Sequence, residues 1–266
     1  MAGGNSLEEI IETREGRIVR LRLNRPQALN AFSQDMMRYL LDAFPRLSDD
    51  SEVAAIILEG AGRSFCVGGD VKGWGERADW TYEKHLEEYG WKQRISLTMR
   101  QCSKVIVAAL QGHVLGAGFG LALAADFRVA GRSAIFGTSF GGVGLSGDFG
   151  ATSSLVNLVG SAKARELMIL NERIGAEEAF RLGLITRLVD DAEIAQTAHD
   201  LAAQIAAGPS LAFARMKQNV MAAEAESFAA MIEREAAGQA ECCMTEDHRE
   251  AVKAFAEKRK PIFRGC

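Results

Sequence analysis

Strand patterns dominate the first half of the chain, and helical patterns dominate the second. Residues 17–23 (RIVRLRL) alternate apolar and basic side chains, which predicts a half-buried strand. Residues 53–58 (VAAIIL) and 105–110 (VIVAAL) are continuous apolar runs, typical of strands covered on both faces. Shorter strands are predicted at 127–130 and 134–136. Turn and helix patterns occupy the intervening segments.

Helical spacing of apolar residues begins in the first half and takes over from about residue 151. The early helices are predicted at 33–44, with Ser33 in the N-cap position, and at 81–100. Later helices rich in Ala, Leu, Glu and Arg are predicted at 162–169, 176–182, 192–207, 211–223, 227–240 and 247–258. Strands interleaved with helices and then followed by helices alone indicate an α/β core with a helical appendage.

The length, net charge and hydrophobic pattern of the chain indicate which partners and which cell compartment to expect. The 266 residues suffice for one large domain or a core with a small appendage. The net charge of -4 gives no general attraction to nucleic acid or to an anionic membrane surface. We find no apolar run of about 18 residues and no signal-peptide pattern at the N-terminus. We therefore expect a cytoplasmic protein that needs neither nucleic acid nor a membrane.

The cysteine and histidine patterns argue against disulfides and metals. The five cysteines are Cys66, Cys102, Cys242, Cys243 and Cys266. They form no CxxC motif, and the four histidines are scattered, without metal-ligand spacing. Reduced, structural thiols and no metal site are expected.

Two glycine-rich segments follow the two continuous apolar strands. They are residues 61–71 (AGRSFCVGGDV) and 112–126 (GHVLGAGFGLALAAD), and a helix is expected after each. The first amides of a helix lack intrahelical partners. Two such amides from separate loops could bind one oxygen as an oxyanion hole.

Two other interpretations of these glycines are available. They could simply make tight turns. A dinucleotide loop is rejected, because GAGFG is spaced as GxGxG and no acidic residue ends the following strand (FRVAG). The sequence contains no GxxxxGK[ST] motif either.

Five segments, in order and at matching spacing, resemble the enoyl-CoA hydratase/isomerase family, the crotonase superfamily. They are 24–32 (NRPQALNAF), 64–71 (SFCVGGDV), 105–130, 173–189 (RIGAEEAFRLGLITRLV) and 246–265 (EDHREAVKAFAEKRKPIFRG). The resemblance implies a crotonase-like spiral of ββα turns over residues 1–200. It also implies a C-terminal helical trimerisation region over 201–266, in a homotrimer or a dimer of trimers.

The same resemblance implies an acyl-CoA thioester substrate and no cofactor other than the coenzyme A that the substrate carries. The backbone N–H groups of Gly69 and Ala117 would bind the thioester oxygen. Substrate contacts would come from Arg25, Ala28, Val67, Gly68, Gly69, Asp70, Val71, Gly116, Phe140, Lys260 and Phe263. The last two would act from a neighbouring subunit, unless they are only a solvated helix end.

The acid that would move protons departs from the family pattern. The two glutamates of family hydratases would fall at Gly120 and Phe140, and neither position is acidic. Asp148 lies where family isomerases resembling dienoyl-CoA isomerase, and the epoxide isomerase of phenylacetate breakdown, carry an aspartate. Burial in this apolar, glycine-rich stretch would raise the pKa of Asp148. Alternatively, Asp148 could be the N-cap of a helix over 149–158.

Other residues are weaker candidates. Asp70 is interpreted as a turn or cap residue and His113 as a satisfied histidine at a strand end. Glu83, Glu87, Glu88 and Tyr89 could supply a second acid, or could belong to a solvated helix face. Six aromatic residues could form an acyl pocket, which would favour a cyclic or aromatic acyl group, or they could simply belong to the hydrophobic core. They are Trp74, Trp80, Trp91, Phe119, Phe136 and Phe140.

The sequence therefore favours an isomerase-type acyl-CoA enzyme that uses Asp148 and the Gly69 and Ala117 amides. Hydration by a non-standard acid stays open, which would make the enzyme a lyase. Two more alternatives stay open. Asp148 could be a nucleophile in hydrolysis or dehalogenation, or the chain could be a non-catalytic relative that binds acyl-CoA or RNA. Dehalogenation is disfavoured, because Phe140 replaces the expected tryptophan and residues 92–100 contain no histidine.

Overall fold

A computed structural model of the chain describes residues 8–73, 75 and 78–266. Trp74, a predicted pocket residue, lies outside the described residues, as do residues 1–7 of the expected core. The strands are β1 (Ile10–Glu15), β2 (Ile18–Leu23), β3 (Ala55–Gly60), β4 (Val105–Leu110), β5 (His113–Leu115), β6 (Phe127–Gly131), β7 (Ile135–Gly137), β8 (Ile174–Gly175) and β9 (Arg187–Val189). The α-helices are α1 (Gln34–Asp49), α2 (Tyr82–Gln101), α3 (Ala117–Leu123), α4 (Ala151–Arg165), α5 (Ala176–Arg181), α6 (Ile194–Ala206), α7 (Ser210–Ala223), α8 (Phe228–Cys243) and α9 (Glu246–Ala256).

The larger sheet has the strand order β1-β2-β3-β4-β6-β9, and every pair after β1–β2 is parallel. All six residues of β3 are buried, and so are all six of β4, which explains their continuous apolar runs. Alternate side chains of β3 enter different cores, because successive residues of a strand point to opposite faces. Ile56 and Leu58 face α1 and α3, whereas Ala55 and Ile57 face α6.

A smaller sheet, in the order β5-β7-β8, stands beside the larger one. The chain passes from β4 into β5 at Gly112, whose φ is +54°. A Cβ atom there would lie only 2.0 Å from the Arg63 carbonyl oxygen, so this turn requires glycine. The passages β4–β5–α3 and β6–β7–α4 each follow the order strand, strand, helix. The expected spiral of ββα turns is confirmed.

Several element predictions need correction. The first glycine-rich loop leads into a single 3-10 turn, Val71–Gly73, rather than a helix. Helix α4 begins at Ala151, and a non-helical Gly160 (φ +75°) interrupts it before a π-helix over Glu166–Leu170. Strands β1, β5, β8 and β9 were not predicted. Most of them are short, so they offer too few residues for a period of two to be recognised.

Helices α7, α8 and α9 extend from the core at the C-terminal end. The buried Nζ atom of Lys217 in α7 bonds the Asp126 carboxylate (2.8 Å) and the carbonyls of Lys104 and Met99. The expected boundary between residues 200 and 201 falls inside α6, and the division at that point stays a prediction. Trimer formation stays a prediction as well. Across the described ranges, no helix is both long and apolar enough to cross a membrane.

Candidate active site

The two glycine-rich loops, helix α2 and the segment before α4 surround one cavity of about 160 Å³. Nine residues that were predicted for the site line it: Val67, Gly68, Gly69, Asp70, Val71, Gly116, Ala117, Phe140 and Asp148. Tyr89, a candidate second acid, also lines it. The sequence did not point to Phe32, Met37, Lys92, Gln93, Ser139, Val143, Leu145 and Phe149. The predicted acid and amides thus meet at one place, and their chemical roles stay predictions.

A larger, mostly apolar cavity of about 660 Å³ lies between the core and α7. None of the residues predicted for the site lines it. Its ionic groups are engaged: Asp126 bonds Lys217, and Arg100 pairs with Glu224 at 2.6 Å. Size alone therefore does not make it the candidate active site.

Gly69 and Ala117 line the smaller cavity from separate loops. Gly68 and Gly116 adopt positive φ angles, +96° and +56°, immediately before Gly69 and Ala117. This left-handed backbone turns the following N–H away from the local hydrogen-bond pattern. Within the described ranges, the N–H groups of Gly69 and Ala117 donate to no protein acceptor. A Cβ atom on Gly68 would lie 3.2 Å from the Ala117 nitrogen, so the two loops approach closely.

Hydrogen bonds with residues 30 and 32 hold the first glycine-rich loop in place. Phe32 N donates to Gly68 O (2.8 Å), and Asp70 N donates to Phe32 O (3.2 Å). The buried Asn30 side chain binds the carbonyl of Ser64 at 2.8 Å, at the start of the loop. Burial raises the pKa of the Cys66 thiol to about 12, so this residue stays protonated and structural.

Asp148 lies in a turn that two left-handed residues shape. Gly147 has a φ of +123°, and Phe149 has a φ of +51°, uncommon for a bulky residue. The Oδ1 atom of Asp148 is buried, and the described residues offer it no hydrogen-bond partner. Burial raises the pKa of Asp148 to about 6, although the nearby Lys92 charge opposes the rise. A carboxyl group in this state can accept or donate a proton near neutral pH.

The helix-capping interpretation of Asp148 is wrong. Helix α4 begins at Ala151, its N-cap is Gly150, and no side chain caps it. Only the backbone carbonyl of Asp148 takes part, by accepting from Ala151 N at 3.0 Å. The Asp148 carboxylate therefore does not cap a helix, and the capping role no longer competes with the proposed chemical role.

The two positions where family hydratases carry glutamates are filled. A Cβ atom on Gly120 would lie 2.8 Å from the Phe149 Cβ and 3.0 Å from the Asp148 carbonyl oxygen. The ring of Phe149 stacks on Phe32 with centroids 5.4 Å apart. Phe140 itself is only 6% exposed. The turn that carries Asp148 therefore occupies the space that a side chain at position 120 would need.

Helix α2 forms the wall opposite the glycine loops. The Gln93 Oε1 atom accepts a hydrogen bond from Phe149 N (2.7 Å), which ties the Asp148 turn to this helix. One position earlier, Lys92 is buried and forms an ion pair with Glu88. Burial by itself would raise the pKa of Glu88, but hydrogen bonds from Lys92, Gln34 and Trp91 lower it to about 2.

These facts narrow the candidates for a second acid. Glu88 stays ionised and hydrogen-bonded, so it is a poor proton donor. Glu83 and Glu87 are exposed and do not line the cavity, which agrees with a solvated helix face. Of the four candidates, Tyr89 alone lines it.

Several predicted contact residues lie away from the cavity. Arg25 pairs with Asp70 (3.0 Å) and Glu9 (3.1 Å), and Ala28 ends a 3-10 turn beside it. Lys260 is exposed and Phe263 is half-buried in the C-terminal tail, and neither reaches the cavity within one chain. Contact between these residues and coenzyme A stays a prediction.

The remaining candidates have structural partners. Asp70 accepts from Lys72 N (3.1 Å), as expected of a turn residue, and His113 Nδ1 lies 3.2 Å from Ser64 Oγ. Phe119 and Phe136 are buried core residues with ring centroids 5.7 Å apart. Trp80 and Trp91 do not line the cavity either, so among the described aromatic candidates only Phe140 does.

Comparison with known proteins adds an independent observation. The profile of a family described as enoyl-CoA hydratase/isomerase matches residues 13–265. A short-chain-enoyl-CoA hydratase of Clostridium acetobutylicum is 34% identical over 96% of this chain and 97% of its own length. A 1,2-epoxyphenylacetyl-CoA isomerase of Escherichia coli K12 is 31% identical, over 97% and 99%. The structure of an enoyl-CoA hydratase from Bacillus anthracis, 28% identical, superposes with a TM-score of 0.91 over 97% of this chain and 100% of that one.

Proposed function

The chain belongs to the enoyl-CoA hydratase/isomerase family, and from that premise we propose that it is an isomerase-type enzyme with Asp148 as its acid and base. The substrate is an acyl-CoA thioester. The reaction moves a double bond, or rearranges a ring, next to the thioester carbonyl. It needs no cofactor beyond the coenzyme A of the substrate.

In the proposed mechanism, the N–H groups of Gly69 and Ala117 donate to the thioester oxygen. The ionised Asp148 carboxylate removes a proton from the acyl chain, and the electron pair of the broken C–H bond delocalises into a thioester enolate. Each amide donor is worth about 3 kcal/mol to the developing oxyanion. Asp148 then returns the proton to a different carbon, which completes the shift without any other reactant.

The observation that carries this proposal is the state of the Asp148 carboxyl group. Its Oδ1 atom is buried without a partner in the described structure, and Asp148 lines the same cavity as Gly69 and Ala117. Leaving a buried polar atom unpaired costs about 1–3 kcal/mol. Such a cost is understandable where the atom must be free to take a proton from the substrate.

Hydration is the second candidate, because the relatives matched include hydratases such as the Clostridium acetobutylicum protein. The addition of water requires one group to activate the water and one to protonate the enolate carbon. Gly120 and Phe140 supply no acid at the expected places, so Asp148 would have to serve both steps. The single acid therefore favours proton transfer within the substrate over addition of water.

We also propose that Lys260 and Phe263 contact the coenzyme A bound to a neighbouring copy. Both residues lie outside the cavity of their own chain. This contact would require the homotrimer or dimer of trimers that the resemblance implies.

The test is deuterium exchange in D₂O with saturated, 2-enoyl, 3-enoyl and aryl-acetyl CoA esters, read by mass spectrometry. We expect a gain of one or two mass units without addition of water, and loss of that gain in Asp148→Asn. The matched control is Asp42→Asn, whose side chain is 80% exposed on α1 and which should behave like the unmodified protein.

Three other results would contradict the proposal. The gain of a whole water would establish a hydratase. Incorporation of ¹⁸O from labelled water into Asp148 would establish a nucleophile. Binding of the esters without any change in their mass would indicate a non-catalytic acyl-CoA-binding protein.

A further inference from the structure

Lys92 is a cation inside the candidate active site that the proposed proton transfer does not use. It lies in the middle of α2, is 5% exposed, and lines the same cavity as Asp148. Burying an ammonium group is costly unless partners satisfy it. The surroundings of its Nζ atom therefore indicate what the site is built to bind.

The partner that holds Lys92 is Glu88, one helical turn earlier. Gln34 (2.5 Å) and the indole N–H of Trp91 (3.1 Å) donate to the same carboxylate and fix it. The rings of Tyr89 and Trp91 flank the ammonium group at 5.8 and 5.5 Å. Lys92 is therefore held in a defined position.

The hydrogen-bonding capacity of this ammonium group exceeds what the protein offers it. An ammonium group has three N–H donors. Within the described part of the chain, Glu88 is the one acceptor that the group contacts. The cavity that Lys92 lines is largely apolar, with Phe32, Val143 and Leu145 among its other lining residues. An oxygen on a bound ligand could satisfy the remaining donors.

We propose that Lys92 donates a hydrogen bond to a neutral oxygen on the acyl group, beyond the thioester, and so selects oxygenated acyl-CoA esters. This inference rests on the proposed function in one respect, which is that the acyl group binds in this cavity. The ion pair with Glu88 already balances the charge of Lys92, so a keto, hydroxyl or epoxide oxygen fits better than a carboxylate. Asp148, when ionised, would also repel a carboxylate.

The size of the cavity limits the acyl group. Its volume of about 160 Å³ is close to that of apolar cavities that hold one benzene ring, about 150 Å³. An acyl group with one six-membered ring is therefore a suitable probe. Phenylacetyl-CoA and its 2-, 3- and 4-hydroxy derivatives differ only in whether, and where, they carry an oxygen.

The experiment measures equilibrium binding of these four esters by calorimetry in the Asp148→Asn variant, which prevents turnover. We expect at least one hydroxy ester to bind about tenfold more tightly than phenylacetyl-CoA, as for hydrogen bonds to charged groups. The preference should disappear in an added Lys92→Met change. It should persist with Lys84→Met, an exposed lysine on the same helix that does not line the cavity.

Lys92→Met leaves the Glu88 carboxylate without its cation. A second variant that combines Glu88→Gln with Lys92→Met therefore tests whether the preference for hydroxy esters is also lost when both charges are removed. Thermal unfolding and phenylacetyl-CoA binding show whether each variant is folded. An equal loss of affinity for all four esters, or a preference that survives both variants, would overturn the inference. Because no turnover is measured, these outcomes are independent of whether Asp148 is catalytic.

Discussion

Replacement of Asp148 by asparagine should make the protein more stable at neutral pH while it removes proton transfer. Asp148 is half-buried, the Oδ1 atom of its carboxyl group is buried and lacks a partner in the described structure, and desolvation raises the pKa of the group to about 6. A buried ionised group opposes folding, because the unfolded chain would hydrate it. Asparagine keeps the shape of the side chain and removes the charge.

The magnitude and sign follow from the two pKa values. The step from 3.8 to about 6 corresponds to about 3 kcal/mol, at about 1.36 kcal/mol for each pKa unit. Between these pH values the folded protein binds more protons than the unfolded chain, so stability falls as pH rises. The favourable contribution is complete below about pH 3.8 and is lost as pH rises through about 6.

The assay is denaturant unfolding of the unmodified protein and Asp148→Asn at several pH values from 4 to 7.5. The free energy of unfolding of Asp148→Asn, relative to the unmodified protein, should increase by about 2.4 kcal/mol across this range, because the rest of the change lies below pH 4. The difference between the two proteins cancels every other titrating group. A difference that stays constant, or that decreases with pH, would refute the assignment of a raised pKa to Asp148.

Asp70→Asn provides a control of opposite sign in the same cavity. The hydrogen bond from Lys72 N, partly opposed by burial and reinforced by Arg25, holds the pKa of Asp70 below its ordinary value. Its stabilising contribution is therefore present above the ordinary pKa and is lost as the pH falls. The two variants should show opposite slopes against pH. The slope for Asp148→Asn lies between about pH 4 and 6, and that for Asp70→Asn lies below about pH 3.8, so unfolding of Asp70→Asn is also measured below pH 4.

Three further predictions concern glycines. Gly68→Ala, which forces a side chain into a φ of +96° and places Cβ 3.2 Å from Ala117 N, should lower deuterium exchange about 10²–10³-fold. Wild-type exchange rates in this variant would argue against the amide pair. Gly120→Glu should confer no hydration and should cost about 1–3 kcal/mol in thermal unfolding, because Cβ would press on Phe149. Gly90→Ala, at an open position of α2, should instead stabilise by up to about 1 kcal/mol.

Much of the fold could be predicted from local pattern because local physics determines it. Strand β4 has the predicted bounds, and Ser33 is the N-cap of α1, accepting from Met36 N at 3.1 Å. The loop glycines were identifiable because Gly68 and Gly116 adopt backbone angles that other residues rarely do. Positions that depend on a residue's own conformation can be recognised in a single sequence.

Contacts between distant segments could not be predicted in this way. Glu88 and Lys92, four residues apart on a helix with many charges, match an ordinary solvated pair. The structure instead buries Lys92 against the cavity, because tertiary packing orients that face of α2 inward. Gln93 and Phe149 are 56 residues apart, and their hydrogen bond has no local signature.

The missing glutamate at position 120 and the aspartate at position 148 are parts of one steric arrangement. Without a side chain, Gly120 lets the backbone of the 147–150 turn approach α3, so that Phe149 can stack on Phe32. The same turn carries Asp148, which lines the cavity, and Gln93 holds the turn through the hydrogen bond from Phe149 N. A glutamate at position 120 would need the volume that this turn fills. In this structure, a glutamate at position 120 would therefore require the turn, and Asp148 with it, to shift.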